Sequence, residues 1–194
     1  MGANQNIAAF FDEMAKRWDA DPAGYEIREK VIALAGFPSK CVIADVGCGR
    51  GVMLEHLLKA EPKKILAVDV SGEMIRYAKQ AGLDARVVFL HEDFLEAKID
   101  RVDGVMLYNA YPHFLDKAAL CKKLAACLPA GGIAVIAHGR SRARINERHQ
   151  GSKMEGLSVP LESAKKEAAK FSPMFLPEQM VDDDAFYFFK LRRR

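Results

Sequence analysis

Cys41-Val-Ile-Ala-Asp45-Val-Gly47-Cys-Gly49-Arg-Gly51, followed at Lys64 by Ile-Leu-Ala-Val-Asp69-Val70, is the stretch that decides the fold. Each half is a short, nearly continuous apolar run. Such a run suits a strand buried on both faces of a parallel sheet. The first run ends in three glycines spaced by single residues. Glycines let the chain turn tightly and approach a ligand with no Cβ in the way. A helix starting just after them offers free N–H groups and a positive dipole end to an anionic group. A plain tight strand–helix turn would use the same residues. Asp69 adds weight to the ligand reading: it ends the second run, eighteen residues beyond Gly51. A carboxylate there can accept hydrogen bonds from both vicinal hydroxyls of a ribose.

The rest of the chain fits around these strands. Residues 5–18 place Ile7, Phe10, Phe11, Met14 and Trp18 at helical spacing, and 24–36 place Ile27, Val31, Ile32 and Leu34 likewise before Gly36 and Pro38. Helices are expected over 52–60, behind an N-cap at Ser71, over 116–128 and over 161–170. Strands are expected at 85–90, 104–108, 133–138, 174–180 and 185–191. Alternating strands and helices imply a parallel sheet with helices on both faces. The last two strands stand together across Asp182-Asp-Asp and imply an antiparallel hairpin. The expectation is a doubly wound, mostly parallel seven-stranded α/β sheet in one domain, 1–194. Residues 1–38 form an N-terminal helical lid, 39–140 a cofactor-binding core, and 141–194 acceptor-side helices and terminal strands.

Bulk properties narrow the function. The chain has 194 residues, 50% apolar and 28% charged, with a net charge of +3. That charge is too weak to argue for nucleic acid, and Lys190 with Arg192–Arg194 reads as a solvated tail. No apolar run approaches the roughly 20 residues of a bilayer span, and the first residues do not read as a secretory signal. Cys41, Cys48, Cys121 and Cys127 form no C-x-x-C pair, which leaves zinc and disulfide exchange without support and suits a cytoplasmic protein. No metal site is expected.

Two nucleoside cofactors fit the loop and its acid. A dinucleotide fingerprint needs a third glycine at position 52, which is Val52, and no Gly-Lys-Ser/Thr follows for a phosphate loop. Ala44-Asp-Val-Gly-Cys-Gly-Arg-Gly51 resembles the first motif of the class I S-adenosylmethionine-dependent methyltransferases. Ala67-Val-Asp69-Val70-Ser71-Gly-Glu-Met74 is similar to their ribose-binding second motif, His91-Glu92-Asp93-Phe94 to their third, and Leu128-Pro-Ala-Gly-Gly132 to the turn before their fifth strand. Phe11 to Asp19 is similar to the lid of quinone C-methyltransferases and their small-molecule relatives. The resemblance implies a Rossmann-like fold and S-adenosylmethionine as cofactor, leaving S-adenosylhomocysteine as product. It assigns cofactor contacts to Asp45, Gly47, Cys48, Gly49, Gly51, Asp69, Val70, Met74, Glu92, Asp93, Phe94, Tyr108 and Asn109. Met74 would pack on the adenine, and the acid of the third motif would face its amino group.

The implied activity is in-line methyl transfer to a small-molecule acceptor. A binding protein without transfer, or a nicotinamide-dependent oxidoreductase on a similar fold, are the alternatives. The acceptor side falls after the fourth and fifth strands, at Tyr108-Asn-Ala-Tyr-Pro-His113-Phe114 and at His138-Gly-Arg140. His113 and His138 are the candidate bases, because imidazole titrates near neutral pH; capping of a strand or helix end is the other reading. Arg140, Arg142, Arg144 and Arg148 are either a solvated helix face or a carboxylate- or phosphate-recognising cluster. Asn109-Ala-Tyr-Pro112 departs from the Asn-Pro-Pro-aromatic motif of adenine and glutamine amino-methyltransferases. The expected partner is a small acceptor, with no nucleic acid and no membrane; a homodimer stays open.

Overall fold

The computed structural model describes residues 3–18, 24–80, 82, 84–150 and 156–194. Two helices, α1 (Ala3–Ala15) and α2 (Tyr25–Ala35), precede the alternation of β1 (Val42–Val46), α3 (Leu54–Leu58), β2 (Lys64–Asp69), α4 (Gly72–Lys79), β3 (Val87–His91) and β4 (Gly104–Tyr108). Then come α5 (Lys117–Cys127), β5 (Ile133–His138), α6 (Arg142–His149), α7 (Ala164–Ala169), β6 (Phe175–Asp182) and β7 (Tyr187–Arg193). One seven-stranded sheet has the order β3-β2-β1-β4-β5-β7-β6. All pairs are parallel except those of β7, which runs antiparallel to both β5 and β6.

The sheet is two-sided because strand residues alternate between faces. Ala44, Val46, Val105, Leu107, Ala134, Ile136 and Phe189 pack on one face, under α5 and α7. Ile43, Ile65, Met106, Val135 and Phe188 pack on the other, with Val31 and Ala35 of α2 and Leu54 and Leu57 of α3. Every residue of β4 and β5 is buried, as their uninterrupted apolar runs require.

The helix ends follow their caps. Gly36 closes α2 in the left-handed conformation (φ 60°), donating its N–H to Ile32. The Ser71, Asp116 and Ser141 side chains accept the N–H of Met74, Ala119 and Arg144, opening α4, α5 and α6.

Strand order places the tips of β1 and β2 side by side, with β4 on the other flank of β1. The order steps from β1 outward in opposite directions, to β2 and to β4. A crevice opens at such a switch point, outside the carboxyl ends of the strands.

Candidate active site

That crevice is a cleft of about 370 Å³. Its floor is the loop Gly47–Arg50, with Asp69 and Val70 after β2, Glu92–Leu95 after β3, and Tyr108–Ala110 after β4. Ile7 and Phe11 of α1, with Trp18, form its roof. Phe114, Leu115 and Ala119 extend it toward α5.

The loop is tied to β2 at three points. The N–H groups of Gly47 and Cys48 donate to the Val68 carbonyl at 2.8 and 3.1 Å. Gly49 N–H donates to Asp69 Oδ2 at 2.8 Å, and Ser71 N–H to Asp69 Oδ1 at 2.9 Å. One carboxylate thus holds both the glycine loop and the start of α4. Gly47 and Gly49 have φ of 68° and 54°, the left-handed region that glycine adopts without a Cβ clash. A Cβ on Gly47 would also lie 2.6 Å from the Cβ of Ala110, so this loop packs backbone against β4's exit.

The charge at the strand tips is poorly compensated. Asp69 is almost fully buried; desolvation pushes its pKa up, while the Ser71 and Gly49 amides pull it back. Asp45 is 1% exposed, and its Oδ2 has no hydrogen-bond partner among the described residues. Burial first, and the nearby Asp69 second, push the Asp45 carboxyl up to about 7. An orphaned carboxylate oxygen beneath a glycine loop suits a ligand that brings positive charge to the cleft.

The sequence-derived cofactor contacts fall in three groups. Gly47, Cys48, Gly49, Asp69, Val70, Met74, Glu92, Asp93, Phe94, Tyr108 and Asn109 line the cleft. Asp45 lies behind the loop instead. Gly51 does not line the cleft either: its φ of 84° and the 2.9 Å that would separate a Cβ from Leu54 Cδ1 give it a packing role at the start of α3. Asn109 sits at φ 58° and accepts the Gly139 N–H at 3.0 Å, joining the exits of β4 and β5.

The two candidate histidines separate. His113 lines the cleft, with its ring edge-on to Phe11 at 5.0 Å between centroids. Its Nδ1 lies 2.9 Å from the Leu157 carbonyl. Only a protonated Nδ1 can donate to that oxygen, so the neutral ring carries its lone pair on Nε2. Burial, against the help of that hydrogen bond and reinforced by His149 and Lys117, pushes its pKa down to about 4. His138 does not line the cleft. It is 2% exposed, packs against the Tyr187 ring at 5.9 Å, and its Nε2 has no hydrogen-bond partner among the described residues. The physical reason is the strand's two-residue period: His138 shares a face with Ala134 and Ile136 and so turns into the packing between sheet and helices. Burial pushes its pKa down to about 3.

The arginine stretch lies on and just before α6, with Arg140, Arg144 and Arg148 exposed, as a solvated helix face. Arg142 pairs with Asp182 at 3.1 Å, Arg148 lies over the Trp18 ring, and none of Arg140, Arg142, Arg144 and Arg148 lines the cleft. Among the described residues, no group of three or more His, Cys, Asp or Glu is placed to hold a metal.

Two residues that brace the cleft, Arg50 in its lining and Asp12 outside it, escaped the sequence reading. Arg50 donates from Nη1 to the Trp18 carbonyl at 2.5 Å and stacks on Tyr77 at 4.8 Å. Asp12 accepts from Ser71 Oγ at 2.5 Å and from Glu73 N–H at 3.1 Å. Arg50 could have been suspected from its position inside the glycine loop. Asp12 carries no local signal beyond being a polar residue beside the apolar stripe of α1.

Residues 43–132 match the family model described as a methyltransferase domain. A malonyl-[acyl-carrier protein] O-methyltransferase of Acetivibrio thermocellus is 32% identical over 97 residues, covering 49% of this chain and 34% of that protein. A ribosomal RNA small subunit methyltransferase A of Shouchella clausii is 24% identical over 169 residues, covering 80% of this chain and 56% of that protein. The matches thus span about a third to a little over half of these relatives' own length. The structure of the N-methyltransferase NodS from Bradyrhizobium japonicum, solved with S-adenosyl-L-homocysteine, superposes with a TM-score of 0.75 at 15% identity, covering 97% of this chain and 98% of that one. The sheet order, the glycine loop and the acid at the tip of β2 thus fall within or beside the stretch, residues 43–132, that is similar to a methyltransferase domain.

Proposed function

We propose that the protein transfers a methyl group from S-adenosylmethionine directly to a small, largely apolar acceptor. The observation that carries this reading is the position of Asp69, inside the cleft and bonded to the glycine loop. Each of its oxygens has accepted one amide and keeps a lone-pair site for a sugar hydroxyl. Met74 and Phe94 supply apolar walls for a base, and Glu92 and Asp93 supply acceptors at its edge. Asp45 and Asp69 favour a cationic ligand at the strand tips. The cofactor, when bound, supplies an electrophilic methyl on a cationic sulfur.

The acceptor end is bounded by Phe11, Trp18, Phe114 and Leu115, with His113 between them. Those walls favour an apolar or aromatic molecule, and the roof formed by α1 makes a partly open recess rather than a broad surface. The work required there is orientation, with the acceptor held about 3–3.5 Å from the methyl and water excluded. With its pKa near 4, His113 is neutral at physiological pH. It serves as a hydrogen-bond acceptor through Nε2, orienting an O–H or N–H of the acceptor. That weak basicity favours acceptors that are nucleophilic without a strong base.

Thermal unfolding tests the cofactor half. S-adenosylhomocysteine at 100 times its dissociation constant adds about 2.7 kcal/mol, or about 5–11 °C for a chain of this size. NAD and NADP are expected to add nothing. A shift with either of them and none with S-adenosylhomocysteine overturns the reading. Transfer of labelled methyl to a panel of apolar phenols and amines tests the other half. Loss of turnover in His113→Ala with cofactor affinity retained is expected; binding with no transfer to any acceptor class points to a protein that only binds the nucleoside.

A further inference from the structure

Besides the Arg50–Trp18 hydrogen bond, a side chain of α1 ties the roof of the cleft to the elements beneath it. Asp12, in the middle of α1, reaches the N-terminus of α4 and accepts from both Ser71 Oγ and Glu73 N–H. Ser71 Oγ in turn accepts the Met74 N–H at 3.1 Å, and Ser71 N–H donates to Asp69. Asp69 holds Gly49. An unbroken chain of hydrogen bonds therefore runs from α1 through Ser71 and Asp69 to the glycine loop. Phe11, next to Asp12, roofs the cleft and meets Trp18 at 5.8 Å.

We propose that Asp12 is a positioning residue: it latches α1 onto the α4 N-terminus and thereby holds the bound cofactor in the cleft. The inference rests on the cofactor reading above. Its physical basis is that α1 packs chiefly on α4 among the described residues. An apolar stripe alone would let α1 slide, whereas a carboxylate accepting from a hydroxyl and a helix N–H fixes one register. Because Ser71 is bonded to both Asp12 and Asp69, a ligand that orders Asp69 also favours the docked position of α1. By linkage, docking of α1 tightens the ligand to the same degree.

The test uses the 194-residue chain and its sole tryptophan, Trp18. Acrylamide quenching of Trp18 reports the roof, and stopped-flow chase of S-adenosylhomocysteine reports its release. In Asp12→Ala, quenching is expected to rise at least twofold, and release to quicken about tenfold, the factor that ~1.4 kcal/mol gives. Asp12→Asn keeps an oxygen for the Glu73 N–H and is expected to recover most of both effects, which a general loss of packing would not. Quenching and release within twofold of the wild type in Asp12→Ala overturn the proposal. So does raised quenching with unaltered release, because α1 would then move without holding the ligand. If the wild type does not bind S-adenosylhomocysteine at all, the cofactor reading falls on its own, and quenching without ligand still decides whether Asp12 docks α1.

Discussion

Asp69→Asn is the substitution that probes the floor of the cleft most directly. It is isosteric, yet an amide offers one acceptor oxygen where the carboxylate offered two. The Asp69 oxygens take the Gly49 and Ser71 N–H groups at 2.8 and 2.9 Å. The new NH₂ must face one of those donors. Leaving one buried donor unpaired costs about 1–3 kcal/mol. The lower end applies here, because the neutral amide also escapes the desolvation that raises the Asp69 pKa. The expected loss is therefore a few degrees of melting temperature, at about 2–4 °C per kcal/mol. Ligand binding should suffer more. A hydrogen bond to a charged group is worth about 1.5–3 kcal/mol, and the variant loses one sugar contact outright and the charge on the other. A combined loss of ~2–4 kcal/mol raises the dissociation constant of S-adenosylhomocysteine by about 30- to 1000-fold. Isothermal titration calorimetry at matched pH reads this directly, and the melting curve of the free variant shows whether the loop has survived. A dissociation constant within threefold of the wild type, with the fold intact, refutes the placement of the sugar on Asp69.

Stability below neutral pH should depend on His138. Its folded-state pKa of about 3 lies below the ordinary 6.5, so only the unfolded chain takes up a proton as pH falls from 6.5, and the folded state is destabilised throughout that window. Between pH 6.5 and 5 this amounts to at most about 2 kcal/mol; His138→Leu should therefore lose less melting temperature than the wild type between pH 7.5 and 5, and equal losses would contradict the burial. His113 adds the same sign, and Asp45, whose pKa is raised, the opposite, so the comparison is between proteins at each pH. Gly47→Ala combines a φ of 68° with a methyl 2.6 Å from the Ala110 Cβ; the left-handed strain alone costs about 1–2 kcal/mol. Ala110→Gly in the same chain should restore the part due to the clash and not the part due to the strain, and full restoration of melting temperature would show that the backbone strain is negligible.

The strands around the cleft were legible because burial on both faces leaves a plain mark. Cys41–Val46, Lys64–Val70 and Ile133–His138 are runs that no amphipathic helix would carry. The order of the last two strands was also written in the chain, in a subtler form. Phe186-Tyr-Phe-Phe-Lys-Leu191 is apolar on both faces and fits between two strands, whereas Phe175-Leu-Pro-Glu-Gln-Met-Val-Asp182 mixes charge with a proline that cannot donate to a neighbour. The structure places β7 inside, with Tyr187, Phe188 and Phe189 fully buried, and β6 at the edge, with Leu176 and Met180 exposed. Helix α6 leaves only a weak mark, since Arg-Ala-Arg-Ile-Asn-Glu-Arg-His buries only Ile145, and its arginines read equally as a solvated helix face or a binding cluster. Its one clear signal is the cap at Ser141. His138 was misplaced because nearness to a strand's carboxyl end says nothing about which face a side chain takes; counting in twos along β5 from Ala134 would have turned it away from the cleft.

What the sequence could not show is how the polar groups share one another. Asp69 reads as a ligand-binding acid, and in the folded chain it is first the clamp that holds the glycine loop and the start of α4. Asp45 reads as the acid of a loop motif, and in the folded chain it is a desolvated carboxyl near the Asp69 carboxylate. Asp12 brings a third carboxylate to the same corner and pushes the Asp69 pKa further up. The Asp69 carboxylate disfavours ionisation of Asp45 at the next strand tip, and Asp12 on α1 disfavours ionisation of Asp69. A small ligand carrying a sulfonium and an ammonium group would relieve that repulsion. On the proposed cofactor reading, the negative charge that burial penalises is the charge that binding would use.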